Sequence, residues 1–218
     1  MKQLLLDFPS QSPTLANFVP GENGELLYQL RELASGRSNE RMVYLWGEAG
    51  CGRTHLLLAC AEAASGIYVH CEAETRFEFD VDFVAVDDVG ALDEAGQIAL
   101  FHLYNRLKEA GGALLVSGDE PPARLDVRED LATRLGWGLV YQVRPLLDEE
   151  KRSALSAHAK DMGFEISVEV VDYLMHHVRR DLPTLMKMLD ALDEFSREAK
   201  RPITIPLLKE VIERMKCD

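Results

Sequence analysis

Gly47-Glu48-Ala49-Gly50-Cys51-Gly52-Arg53-Thr54 is the stretch of this chain best equipped for chemistry. Its spacing is that of a phosphate loop, G-x-x-x-x-G-K-[ST], with Arg53 where lysine is the rule. The glycines let the backbone bend so that successive N–H groups converge on an anion. A helix starting at the loop adds roughly half a positive charge at its N-terminus. The candidate nucleotide-binding set is therefore Gly47, Gly50, Cys51, Gly52, Arg53, Thr54 and the adjoining His55, with the Thr54 hydroxyl as a ligand for Mg²⁺. Arginine still neutralises phosphate charge, but its planar fork is larger than an ammonium and does not fill the same volume between phosphates. The expectation is nucleotide binding with poor intrinsic hydrolysis. Cys51, beside a helix N-terminus, is expected to have a lowered pKa.

A second group comes from Phe83-Val84-Ala85-Val86-Asp87-Asp88, four apolar residues and then two carboxylates. At a strand end beside a phosphate loop, Asp87 serves the Mg²⁺ and Asp88 is placed to polarise a water. Ala113-Leu114-Leu115-Val116 runs into Ser117-Gly118-Asp119, so Ser117 or Asp119 would face the terminal phosphate.

These groups need a scaffold that brings strand ends together. Val43–Trp46, Ile67–His70, Phe83–Val86, Ala113–Val116 and Leu139–Val143 are short apolar or β-branched runs, the pattern of strands covered on both faces. Helical patterns over Thr54–Ala64, Ala95–Ala110 and Arg128–Leu135 lie between most of them, which predicts a parallel α/β sheet of five strands. Glu72–Asp82 reads as a linker-like stretch. After Pro145 the pattern is helical only: Asp148–Met162, Ser167–Val178, Leu182–Ala199 and Pro206–Lys216. Three parts are expected: an N-terminal peptide over 1–12, an α/β nucleotide-binding base over 13–145, and a helical lid over 146–218.

Composition narrows the function classes. Twenty-four basic against 37 acidic residues give a formal charge of −13. A duplex-DNA binder shows a basic stripe, so strong direct DNA binding is not expected. No apolar run reaches the roughly 20 residues of a membrane helix, and Met1–Ser10 is not a secretory signal; a soluble, cytoplasmic protein is expected. Cys51, Cys60, Cys71 and Cys217 and the six histidines lack metal or redox spacing.

Several segments resemble the DnaA-related AAA+ family. Asp130-Leu131-Ala132-Thr133-Arg134-Leu135-Gly136-Trp137-Gly138-Leu139 resembles the DnaA segment that carries an arginine finger. Thr14-Leu15-Ala16-Asn17-Phe18-Val19 resembles the leading segment that borders adenine, and Val178-Arg179-Arg180-Asp181-Leu182 resembles the lid arginine motif, sensor 2. The likeness covers about Pro13 to Met215. The chain as given lacks DnaA's N-terminal domains and its DNA-binding helix-turn-helix, which, with the arginine in the phosphate loop, is the pattern of the Hda subfamily, the regulatory inactivators of DnaA. Gln3-Leu4-Leu5-Leu6-Asp7-Phe8 resembles a binding motif for the β sliding clamp, the β subunit of DNA polymerase III. Gln3 would hydrogen-bond there while Leu4, Leu6 and Phe8 fill apolar pockets.

The resemblance implies an AAA+ base with a helical lid, bound to ADP (or ATP) and Mg²⁺. Phe18 and Val19 would border the base and Arg180, or its neighbour Arg179, would reach the phosphates. Loaded on the DNA-bound clamp, such a protein stimulates hydrolysis of the ATP held by DnaA, through Arg134 acting in trans as an arginine finger. It would be a DNA replication inhibitor by regulatory inactivation of DnaA, with little ATPase activity of its own. Three other readings stay open: a helicase loader of the DnaC type, a self-contained ATPase, and a clamp-bound scaffold. A homodimer through the nucleotide edge is also open.

Overall fold

Alternate residues of each strand bury on opposite sides of one sheet, and this gives the base its layers. The computed structural model describes residues 12–217. Two compact units emerge, one spanning Ser12–Leu146 and the other containing residues 147–217.

In the first unit the strands are β1 (Met42–Trp46), β2 (Ile67–His70), β3 (Phe83–Asp87), β4 (Ala113–Gly118) and β5 (Leu139–Gln142). They pair in parallel in the order β2-β3-β4-β1-β5. Met42, Tyr44, Val84, Val86, Leu114 and Val116 join one core cluster, while Val43, Leu45, Phe83, Ala85, Ala113 and Leu115 join another. Both faces are thus apolar, as the unbroken apolar runs imply.

The second of those faces is covered by α1 (Gly24–Ala34) and α2 (Arg53–Ala63), through Leu26, Leu27, Leu30 and Leu33 and through Leu56, Leu57 and Cys60. The first is covered by α3 (Glu94–Ala110) and α4 (Glu129–Leu135), through Leu100, Leu103, Tyr104 and Leu107 and through Leu131 and Leu135. Burying each such leucine contributes about 1.5–3 kcal/mol. Helix α1 adds to the elements expected from the sequence; its leucines repeat at helical spacing.

The stretch Glu72–Asp82 is no free linker. Phe77 is buried in the core, and Arg76 pairs with Asp93 at 3.1 Å. Asp93 also caps α3, accepting from the Gly96 N–H at 2.6 Å. One residue therefore starts the helix and ties down the segment before it.

The second unit holds α5 (Asp148–Asp161), α6 (Val168–His177), α7 (Leu182–Ala199) and α8 (Ile205–Cys217). Glu150 starts α5 by accepting from the Leu147 N–H at 2.7 Å, and Ser167 and Asp181 cap α6 and α7. Leu155, Leu174, Leu185, Leu189, Leu192 and Leu208 form a core separate from the two in the base.

Candidate functional site

A parallel sheet points all its strand C-termini one way, and ligands gather where strand order switches. Here β1 lies between β4 and β5, and the next strand, β2, lies beyond β4 and β3. Registers Trp46↔Gly118 and His70↔Asp87 bring the phosphate loop, the acidic pair and the polar end of β4 to one edge. The residues expected to act together on phosphate are therefore neighbours.

The loop needs its glycines for space and for conformation. A Cβ on Gly47 would stand 2.5 Å from the Val143 carbonyl. Gly52 has φ +105, and a Cβ there would lie 2.9 Å from the Phe18 ring. Gly52 also occupies the N-cap of α2 with no side-chain cap, so the first N–H groups of an 11-residue helix are left to face an anion. Phe18 lies over this turn. His55 braces the same segment: its Nε2 donates to the Thr14 carbonyl at 3.0 Å, and its ring centroid is 5.5 Å from that of Phe18. Val19, next along, is half-buried.

Arg53 turns to the neighbouring strand end, donating from Nη1 to the Gly118 carbonyl. Cys51 departs from expectation. It is buried, and burial pushes its thiol up, outweighing the lowering by the Arg53 N–H and guanidinium. The helix N-terminus does not produce the low-pKa thiol expected, because desolvation disfavours the thiolate more.

Asp87 is the hub. The residue is 3% exposed, and its carboxylate accepts from three hydroxyls. Thr54 Oγ1 and Tyr68 Oη donate to Oδ2 at 2.7 and 2.9 Å, and Ser117 Oγ donates to Oδ1. Thr54 directs its proton to Asp87, which leaves its oxygen lone pairs for a cation. Asp88 turns away in a left-handed conformation, φ 61, fixed by its N–H donating to Ser117 Oγ at 3.1 Å. Tyr44, beneath Gly118, donates to the Glu120 carbonyl at 2.8 Å. Burial raises its phenol pKa, and the carboxylates of Asp119 and Asp88 add to this. Asp119 itself is exposed at the rim. Tyr68 is a member of the site that the sequence does not reveal, because there it reads only as a strand residue.

Arg134 lies elsewhere. It is in the last turn of α4, and four residues on, Gly138 packs so closely on β1 that a Cβ would reach 2.0 Å from the Met42 carbonyl. Met42 starts β1, whereas the phosphate loop follows its last residue, Trp46. Four strand rises, about 13 Å, separate the two ends. The structure thus brings together Gly47–His55, Phe18, Asp87, Asp88 and Asp119, and leaves Arg134 apart from them, against Phe101 of α3 and Trp137.

Arg179 and Arg180 belong to the second unit. Arg180 Nη1 is 3.6 Å from Asp148 Oδ2, and Arg179 Nε is 3.4 Å from Asp181 Oδ2. Arg179 is the more exposed of the two. Gln3, Leu4, Leu6 and Phe8 lie outside the described residues. Among the described residues no cluster of His, Cys, Asp and Glu could hold a metal by itself, and no helix is long and apolar enough to cross a membrane.

A five-stranded parallel sheet with a phosphate loop after β1, followed by a helical lid, defines an AAA+ protein. Comparison with known proteins narrows the class. The family model for the lid domain of Hda matches residues 148–212, and that for the bacterial DnaA ATPase domain matches residues 70–142. Domain III of the Thermotoga maritima replication initiation protein DnaA superposes with a TM-score of 0.75 at 21% identity, over 94% of this chain and 97% of that one. AMPPCP-bound DnaA from Aquifex aeolicus gives 0.69 at 25% identity, over 86% and 67%. The Thermotoga maritima RuvB Holliday junction branch migration motor gives 0.68 at 15% identity, over 94% and 73%, a likeness of fold. The chain is thus similar to the Hda lid over residues 148–212 and to the DnaA ATPase domain over residues 70–142, on a fold shared with AAA+ proteins.

Proposed function

We propose that this protein binds ADP with Mg²⁺ and, together with the DNA-loaded β sliding clamp, stimulates hydrolysis of the ATP held by DnaA, so that it restrains initiation of replication. The observation that carries this reading is the position of Arg134. A guanidinium seated against Phe101 and Trp137, on the helix that precedes β5 and not among the residues around its own phosphate loop, is available to another molecule's nucleotide. Supplied in trans, such a group accelerates phosphoryl transfer by roughly 10³–10⁵. The match of residues 148–212 to the Hda lid supports the same assignment.

The phosphate site supports binding more than turnover. The α2 N-terminus and the loop glycines suit a diphosphate, and Thr54 beside Asp87 suits a divalent cation held through the nucleotide. The Arg53 guanidinium is engaged at the Gly118 carbonyl, which supports slow hydrolysis at this chain's own site. Two further roles are part of the proposal. Arg180 is the lid arginine, and Gln3, Leu4, Leu6 and Phe8 are the clamp-binding side chains.

The test is phosphate release from ATP-bound DnaA with DNA-loaded clamp, with and without this protein. Stimulation that needs both the protein and the clamp is expected. The same stimulation without clamp would remove the role given to the N-terminal peptide. None at all, from a folded and ADP-bound protein, would overturn the proposed function.

A further inference from the structure

Arg134 lines one hollow with Glu129 and Asp130, yet among the described residues its guanidinium has no carboxylate partner within 4 Å. Asp130 is engaged by Arg128 at 3.0 Å, and the same arginine reaches Glu94 at 3.3 Å. What holds Arg134 is aromatic. Its Cζ lies 4.1 Å from the centroid of the Trp137 ring and 5.4 Å from that of Phe101. The shorter distance puts the cation over the indole face.

The kind of contact matters. A carboxylate would occupy the N–H donors of the guanidinium and cancel its charge. An aromatic face is attracted to the cation while leaving all five donors and the whole charge available. Trp137 is 56% exposed, so this indole does little for the core. The two residues are nonetheless tied through the main chain, because the Trp137 backbone N–H donates to the Arg134 carbonyl at 3.1 Å in the turn that ends α4. Lys108 Nζ stands 5.0 Å from the same ring centroid, a second cation drawn to the indole.

The geometry points to Trp137 as the positioning residue of Arg134. It holds the guanidinium in one place without using the donors that a phosphoryl group would need. The inference rests on the reading of Arg134 as a group supplied in trans. Trp137 touches no reacting atom, and its effect comes entirely through Arg134.

The experiment is DnaA-bound ATP hydrolysis with DNA-loaded clamp, titrated with the full chain as wild type, W137F, W137L and R134A. W137L fills space without a π face and is expected to lower the maximal rate on the order of tenfold, with W137F losing about threefold because tryptophan gives the strongest cation–π contact. The concentration for half-maximal stimulation and the melting temperature stay at wild-type values. W137F decides alone should W137L fail to fold. Full maximal rates in the Trp137 variants beside a silent R134A would overturn the inference and leave the finger standing. A rise only in the half-maximal concentration would make Trp137 a docking contact and overturn it equally. Full stimulation by R134A would remove the role of Arg134 in trans, and this inference with it, while the stimulation itself stands; no stimulation by the wild type would remove the proposed function.

Discussion

Replacing Ser117 by alanine tests whether the buried carboxylate of Asp87 is held by the hydroxyls around it. Ser117 has no exposed surface and works twice, donating to Asp87 Oδ1 and accepting from the Asp88 N–H. The first is a bond to a charged group, worth about 1.5–3 kcal/mol, and the second leaves a backbone donor unpaired for about 1 kcal/mol more. Ser117→Ala should therefore destabilise the base by about 2.5–4 kcal/mol. At about 2–4 °C per kcal/mol for a chain of this size, the melting temperature falls by roughly 5–16 °C. Tyr68→Phe removes one donor from the same carboxylate, but Tyr68 lies on the half-exposed edge strand β2 where water can replace it, so its loss should be about 1 kcal/mol. Thermal melts followed by circular dichroism on both variants give the comparison. A Ser117→Ala protein melting with the wild type, or Tyr68→Phe proving the more damaging, would refute the hub.

Three more outcomes are expected. Gly52→Ala, forced to φ +105 with its Cβ against Phe18, is strained by about 1–3 kcal/mol and should weaken ADP by roughly 5- to 150-fold by calorimetry; unchanged affinity would count against the loop geometry. Cys60 and Cys71 are pushed up to about 12, and Cys51 is also raised, all by burial, so iodoacetamide at neutral pH should label none of them in the native protein and all three after denaturation, read by peptide mass spectrometry. Acid should act through the carboxylates whose pKa is lowered by arginine partners: Asp93 by Arg76, Asp130 by Arg128, Glu32 by Arg37 and Glu210 by Arg201. Since the folded values lie below the unfolded ones, their contribution is complete above about pH 4.5 and is lost as pH falls through the lowered folded values. The melting temperature should thus be flat from these groups above that pH and drop below it.

Much of the site is legible in the sequence because it is local. The phosphate loop, the strand ending in Asp87-Asp88 and the turn after Val116 are each contiguous, and a parallel sheet then assembles them without further information. The same holds for α7, whose cap and apolar repeat lie within one segment. What escapes the sequence is set by contacts distant along the chain. Tyr68 reaches Asp87 only because β2 pairs with β3 in the register His70↔Asp87. Phe101 meets Arg134 only when α3 and α4 pack on the same face. Cys51 misleads because the helix N-terminus is visible in sequence while burial is not. The stretch Glu72–Asp82 misleads because Phe77, Phe79 and Val81, which pack it on the core, alternate with the charged residues Glu78, Asp80 and Asp82.

The most direct measurement of the central claim is single-turnover hydrolysis of ATP on DnaA, with DNA-loaded clamp and ADP-bound wild type, Arg134→Ala or Arg134→Lys. If Arg134 acts on another molecule's phosphoryl group, Arg134→Ala abolishes the stimulation, a loss of roughly 10³-fold or more where the full finger effect operates. Arg134→Lys then falls in between, since a point charge replaces the fork. Stimulation by Arg134→Ala equal to that of the wild type would contradict the account.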